Sequence, residues 1–306
     1  MKLLCAGEAF EDLVFFALDR LPDLGEEVKT DHFTATVGGG AVITAVHAAR
    51  LGMKSGILSA LGAAAVIRLK HEGVSVTNLR KPSEPHAITA ALSTDEDRAF
   101  VTFNGVNAKL EGRLAKVLSK PVSPKPEGRR PTQSHVHLCF YPHDCAQWTL
   151  IVSRLRKRGI TTSWYFGWNE PLAGDRGLTG LIDALDFVFV NELEARHYTG
   201  EATLEAAVSH WRQRKAITII KQGENGATWI ALDRDIHAPA RRVKVVDTTG
   251  AGDAFCGAFA ADLARGLDPF LAARTGVVAG SLATTIPGAY PGIPHRDAIE
   301  RMLASS

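Results

Sequence analysis

Short apolar runs and longer stretches of helical periodicity alternate along most of this chain. Residues 2–6, 55–61, 135–141, 160–166, 187–190, 217–221 and 243–246 have the length and apolar content of buried strands. Residues 41–51, closed by Gly52, carry the longer helical pattern, as do 148–158, 254–263 and 271–284. Two stretches break this order. Residues 13–37, and then 86–92 with 99–103 around an acidic turn at 94–97, alternate polar and apolar positions. Alternation of that kind belongs to strands that bury one face only. The whole pattern predicts an α/β fold, a three-layer α/β/α doubly wound and mostly parallel sheet carrying a small β-sheet lid. The lid is expected from segments at about 12–36 and 86–105, inserted in a single domain over residues 1–306. The Pro- and charge-rich stretch 120–133 reads as a loop, too short to divide the chain.

Composition changes this picture little. With 45% hydrophobic and 22% charged residues the chain can bury a sizeable core, and a formal net charge of +2 argues against nucleic-acid or membrane partners. No apolar run reaches the roughly 20 residues that span a bilayer, and the N-terminal run is too short for a signal peptide. Cys5, Cys139, Cys145 and Cys256 lack C-x-x-C spacing and sit in apolar segments, which predicts reduced core thiols in a cytoplasmic protein. His135, His137 and His143 follow no metalloenzyme pattern such as H-E-x-x-H.

The chemistry concentrates in residues 243–266, VKVVDTTGAGDAFCGAFAADLARG. A strand, a glycine turn and a helix start in that order make an anion site. The first N–H groups of a helix lack internal partners, and its dipole favours negative charge there. Gly250 and Gly252, with Ala251 between them, let the backbone approach a phosphate. Asp253 fits two roles. It can cap the helix, or it can take the proton of a hydroxyl while the neighbouring N–H groups hold a transferring phosphoryl group. No G-x-x-x-x-G-K-[ST] occurs, so this is no Walker-type NTPase, and Phe255 stands where a dinucleotide fingerprint needs Gly or Ala.

Asp247-Thr248-Thr249-Gly250-Ala251-Gly252-Asp253, followed by Gly257-Ala258-Phe259, resembles the C-terminal signature of the ribokinase-like (PfkB) carbohydrate kinases. The resemblance spans the chain. It implies transfer of the γ-phosphate of ATP to a hydroxyl of a small sugar or sugar acid, of fructokinase, ribokinase or 2-keto-3-deoxygluconate kinase type. Asp253 would be the base and the backbone of Gly250, Ala251 and Gly252 the anion hole. The G-E-x-x-x-D start at residues 7–12 resembles the sugar-kinase branch and implies that Asp12 bonds sugar hydroxyls. Val37-Gly38-Gly39-Gly40 resembles the N-terminal signature, with Gly38 and Gly39 contacting the sugar, and the NGVNA run brings Asn107 toward it. Asn191-Glu192-Leu193-Glu194 matches the N-x-x-E motif that organises Mg2+ and phosphate, and reads equally as a capping box. Lys221, Gly223 and Gly226 match a K-x-G-x-x-G segment beside ATP, and otherwise form a plain turn. Thr249 is placed with the nucleotide, while the Asp247 loop and residues 286–294 imply a monovalent-cation site for K+. The lid also implies a homodimer, through its exposed edge.

Four positions depart from the family pattern. Ile43 stands where an asparagine usually touches substrate, Tyr165-Phe166 stand for Asp-Pro, and Val277 stands for an asparagine near the base. Gly62-Ala63-Ala64-Ala65 replaces a G-D-[DE]-x-x-G turn in a segment several residues short. Two other readings therefore stay open: a nucleoside kinase, should Trp164 and Trp168 face a base, and a catalytically silent sugar-binding protein.

Overall fold

The computed structural model describes residues 2–94, 98–120 and 134–305. The acidic turn expected at 94–97 and the loop expected at 120–133 therefore lie almost wholly outside the described residues.

A nine-stranded sheet forms the centre. Its order is Asp235–Ala238, Ala227–Ile230, Ile217–Lys221, Phe187–Asn191, Ile160–Tyr165, Ser134–Cys139, Lys2–Gly7, Lys54–Ser59 and Ser75–Asn78. Every neighbouring pair from Ile217–Lys221 to Ser75–Asn78 is parallel. The first two strands are antiparallel and close that edge as a hairpin. Order in the sheet reverses beside Lys2–Gly7, which is the kind of switch point where doubly wound sheets hold ligands at their carboxyl ends.

Strand alternation explains the layers. In Phe187–Asn191, Val188 and Val190 join a core with Trp148, Trp164 and Leu181 under one set of helices. Phe187 and Phe189 point the other way and pack with Phe255, Phe259 and Val277. Lys2–Gly7 divides similarly, Ala6 to the first core and Leu3 and Cys5 to a third, with Ala41, Val42 and Ile43. A strand covered on both faces needs no polar side, which is why these runs looked continuously apolar.

A second, four-stranded sheet is built in the order Phe33–Gly38, Phe10–Leu18, Ile88–Thr94, Arg98–Phe103. It comes from the two alternating stretches, as expected. Phe33, Phe100, Val101 and Phe103 remain exposed on it.

One expected strand does not form. Among the described residues, 243–246 pair with no strand, and Val245 and Val246 are 58% and 51% exposed. β-Branched composition favours a strand only where a partner edge and a buried face exist. Here the N–H groups of Val246 and Asp247 are tied instead to the Thr284 carbonyl, at 2.7 and 3.0 Å. The helix beyond it begins earlier than its apolar pattern suggested, covering Ala251–Ala264.

Candidate active site

The glycine turn is built by its neighbours. Gly250 has φ of 76°, a left-handed conformation that disfavours any side chain, and a Cβ there would lie 2.6 Å from Cβ of Ala289. The helix Ala251–Ala264 starts immediately after it, so Asp253 stands in its first turn. Asp247 fixes the approach. Its Oδ1 accepts from the N–H and hydroxyl of Thr249 at 2.8 and 2.6 Å, and its Oδ2 accepts from Gly288 N–H at 2.7 Å. The residues expected around a cation thus tie two loops together, with Thr249 turned back onto Asp247.

The start of this helix is held from behind. Thr44 donates to the Asp253 carbonyl at 3.2 Å, and His47 Nδ1 donates to the Ala254 carbonyl at 2.6 Å. Both come from the helix Gly40–Arg50, which packs closely because Gly257 offers no side chain against His47. Burial pushes the His47 imidazole down to about 4, so it is neutral and serves as a structural donor.

Asp253 projects toward the start of that same helix. Its Oδ1 lies 2.8 Å from where a Cβ on Gly40 would be, so the third glycine of the triplet makes room for the carboxylate. Burial raises the Asp253 carboxyl to about 6, against the pull of Lys221 and with a further push from Glu194. Gly40 was not singled out in the sequence, because the chain gives no sign of what lies across the cleft from it.

Substrate-side residues gather at the same end. The Asp12 carboxylate lies in the space a side chain on Gly38 would fill, and burial raises it to about 7. Gly39 has φ of 95° and passes so near Glu8 that its Cβ would sit 2.5 Å from that carbonyl. Asn107 is 7% exposed and donates to the Ala9 carbonyl at 3.2 Å, which fixes the Gly105–Lys109 turn against the link between Lys2–Gly7 and Phe10–Leu18. Glu8 also belongs here. Its carboxyl is pushed up to about 7 by burial, with His143 pulling it down.

On the other side, Asn191 and Glu194 do form a capping box. Asn191 Oδ1 accepts from Glu194 N–H, and Glu194 Oε2 accepts from Asn191 N–H, both at 2.8 Å. Glu194 is only 3% exposed, and its Oε1 has the Tyr165 hydroxyl at 3.4 Å. No cluster of three potential metal-binding side chains exists among the described residues. Mg2+ needs no such cluster, since it binds through one or two carboxylates plus phosphates and keeps several waters. The loosely held oxygen of Glu194 fits that demand. Lys221 ends its strand in register with Asn191, and its Nζ lies 2.7 Å from the Cβ position of Gly252. Gly223 opens the following turn with φ of 55°. Gly226 is further off, pressed against the backbone of residues 238–240, and serves the hairpin.

The departures sort differently in space. Ile43 is 1% exposed and packs in the core, so it makes no gap in the cleft. Val277 is likewise core, beside Phe255 and Phe259. Trp164 is fully buried and donates to the Phe140 carbonyl at 2.6 Å, while Trp168 is exposed and stacked on His197 at 4.0 Å between centroids. Tyr165 reaches the site, with its ring under the Lys221 ammonium, and the shortened segment brings Gly62 against His86, whose ring would lie 3.2 Å from a Cβ there.

A glycine turn opening a helix, the buried Asp253 carboxylate in that helix's first turn, and Asp12 in the small sheet, all brought against the glycine triplet 38–40, have the make-up of a phosphoryl-transfer site. The chain belongs to the pfkB family of carbohydrate kinases, whose profile matches residues 1–296. It is 28% identical over 315 residues to a ribokinase of Bacillus subtilis, covering 99% of this chain and all of that one. A nucleoside kinase of Methanocaldococcus jannaschii is 22% identical over 308 residues, covering 99% of this chain and 96% of its own. Among solved structures, a candidate ribokinase II from E. coli in complex with ATP and Mg2+ superposes with a TM-score of 0.79 at 21% identity. That superposition covers 100% of this chain and 99% of the other. Members of the family are phosphotransferases that act on an alcohol group, and the chain is a sugar or nucleoside kinase of this kind.

Proposed function

We propose that the chain transfers the γ-phosphate of ATP to a hydroxyl of a small sugar or sugar acid. The observation that carries this reading is the meeting of Asp253 with Gly40, which joins the phosphate-holding turn to the glycine triplet of the substrate side. Asp12 would bond the sugar hydroxyls, with the backbone of Gly38 and Gly39 and the Asn107 turn shaping the pocket. Asp253 takes the hydroxyl proton as the oxygen attacks, and the N–H groups of residues 250–253 hold the phosphoryl group in transfer. General-base help of this kind is worth about 100- to 10,000-fold, and each well-placed oxyanion donor about 3–4 kcal/mol. Mg2+ would arrive on the ATP phosphates and offset their charge, with Glu194 and Asn191 ordering its surroundings. The Asp247 loop, tied to Gly288, would border a K+ site, and turnover should then rise when K+ replaces an organic cation. Closure of the small sheet over the sugar would keep water from competing as acceptor.

The nucleoside reading loses its support in the sequence, since Trp164 is core and Trp168 stacks on His197. A silent binding protein keeps two arguments, Tyr165 in place of an acid and the missing acidic turn at residues 62–65. The test is ADP release, coupled to a reporter, across sugars, sugar acids and nucleosides with Asp253→Asn beside the wild type. Turnover on a sugar that the variant abolishes supports the proposal. Turnover on nucleosides alone favours the second class, and silence with ligand-dependent thermal shifts favours the third.

A further inference from the structure

Lys221 ends the strand Ile217–Lys221 with its ammonium beneath the glycine turn. The Nζ lies 3.3 Å from the centroid of the Tyr165 ring and 2.7 Å from the Cβ position of Gly252. It is shut off from solvent and has no hydrogen-bond partner among the described residues. Glycine at 252 is therefore needed for this nitrogen as much as for any phosphate. A desolvated ammonium without an acceptor is costly, and a ring beneath it returns only about 2 kcal/mol. The nearby Glu194 carboxylate is turned toward the Asn191 N–H. The phenol ring supports the ammonium without neutralising it. The charge is held in place without a hydrogen bond, beneath the glycine turn and near enough to Asp253 to favour its carboxylate.

Resting on the kinase reading, we propose that Lys221 is a catalytic residue: its ammonium donates to an oxygen of the phosphoryl group as that group passes from ATP to the sugar. Tyr165 is its positioning residue, keeping the cation unpaired and under Gly252. In this step the bond between the γ-phosphorus and the ADP oxygen breaks, and a bond from phosphorus to the sugar oxygen forms. The hydroxyl proton goes to Asp253. Lys221 keeps its own protons throughout and supplies charge and one N–H donor, so the step needs no co-reactant.

The test uses Lys221→Met, which keeps the length and removes the charge. Loss of one donor to the transferring group should lower kcat about 100-fold or more, with KM for the sugar changed less than about threefold. In Lys221→Ala, added methylammonium should restore part of kcat, which a merely structural lysine would not allow. Calorimetry gives a readout without turnover: Lys221→Met should weaken ATP binding about tenfold more than ADP binding, because only ATP carries the third phosphate. A kcat within about threefold of wild type, in a preparation where Asp253→Asn is inactive, overturns the role of Lys221 and leaves the kinase reading intact. Equal weakening of ATP and ADP overturns it too, even if no sugar is turned over. A wild type that binds no ATP overturns both.

Discussion

Asp253 is set by two opposed forces, burial that favours the neutral acid and Lys221 that favours the carboxylate. The groups facing it are Glu194, Tyr165, Cys5, Cys139 and Cys256, and all four of the phenol and thiols are pushed upward and stay neutral near pH 7. A base must be deprotonated to work. Activity should therefore fall as pH drops through about 6, and a pH profile of kcat/KM with no acid limb near that value would contradict the assignment. Asp12 makes a second prediction, of the opposite kind. Its folded pKa of about 7 lies above the unfolded value, so folding favours its protonated form. The stability it contributes is complete at acid pH and is lost as pH rises toward 7. Asp12→Asn should then raise stability at pH 8 by roughly 1–3 kcal/mol, change little at pH 4, and cost most of the sugar affinity. Urea unfolding at the two pH values reads this directly, and a less stable variant at pH 8 would contradict it. At this scale the sequence showed Asp253, Asp12 and the glycines because they fall in ordered motifs. Gly40 and Glu8 were missed, since their neighbours lie far away in the chain.

Among elements, the packing of Ala251–Ala264 on Gly40–Arg50 links stability to chemistry. The first helix carries the glycine turn proposed as the anion hole, and the second holds its opening carbonyls through Thr44 and His47. Gly257 is the contact point, where a Cβ would lie 2.8 Å from Cβ of His47 and 2.9 Å from the Thr44 carbonyl. Gly257→Val should cost about 1–3 kcal/mol of stability by overpacking, and kcat with it as the helix start moves. Denaturant unfolding and turnover of the same preparation check both, and unchanged values would remove this packing from the account. The elements legible in advance were those buried on both faces. Residues 243–246 misled because β-branched composition reports a preference that no neighbouring edge satisfied. The hairpin of Ala227–Ile230 and Asp235–Ala238 went unread, its strands of four residues being too short to display a period.

At the scale of the molecule, strand order does the assembling. Residues distant in sequence come together across the glycines: Asp12 against Gly38, Asp253 against Gly40, and Lys221, at the end of a parallel strand, against Gly252. The small sheet stands over this end with Phe33, Phe100, Val101 and Phe103 exposed. We propose that the expected dimer, should it form, uses this surface. Val101→Glu should shift the sedimentation of a dimer toward the monomer, and a wild type that sediments as a monomer would end that expectation. The choice of sugar was illegible because it depends on distances across the cleft, which no local spacing encodes. The most direct measurement is phosphorus NMR of the protein with ATP, Mg2+ and the best sugar of the panel. The account predicts a new phosphomonoester signal that grows with ADP and is absent with Asp253→Asn. ADP accompanied only by inorganic phosphate, or a phosphomonoester formed equally by the variant, would contradict it.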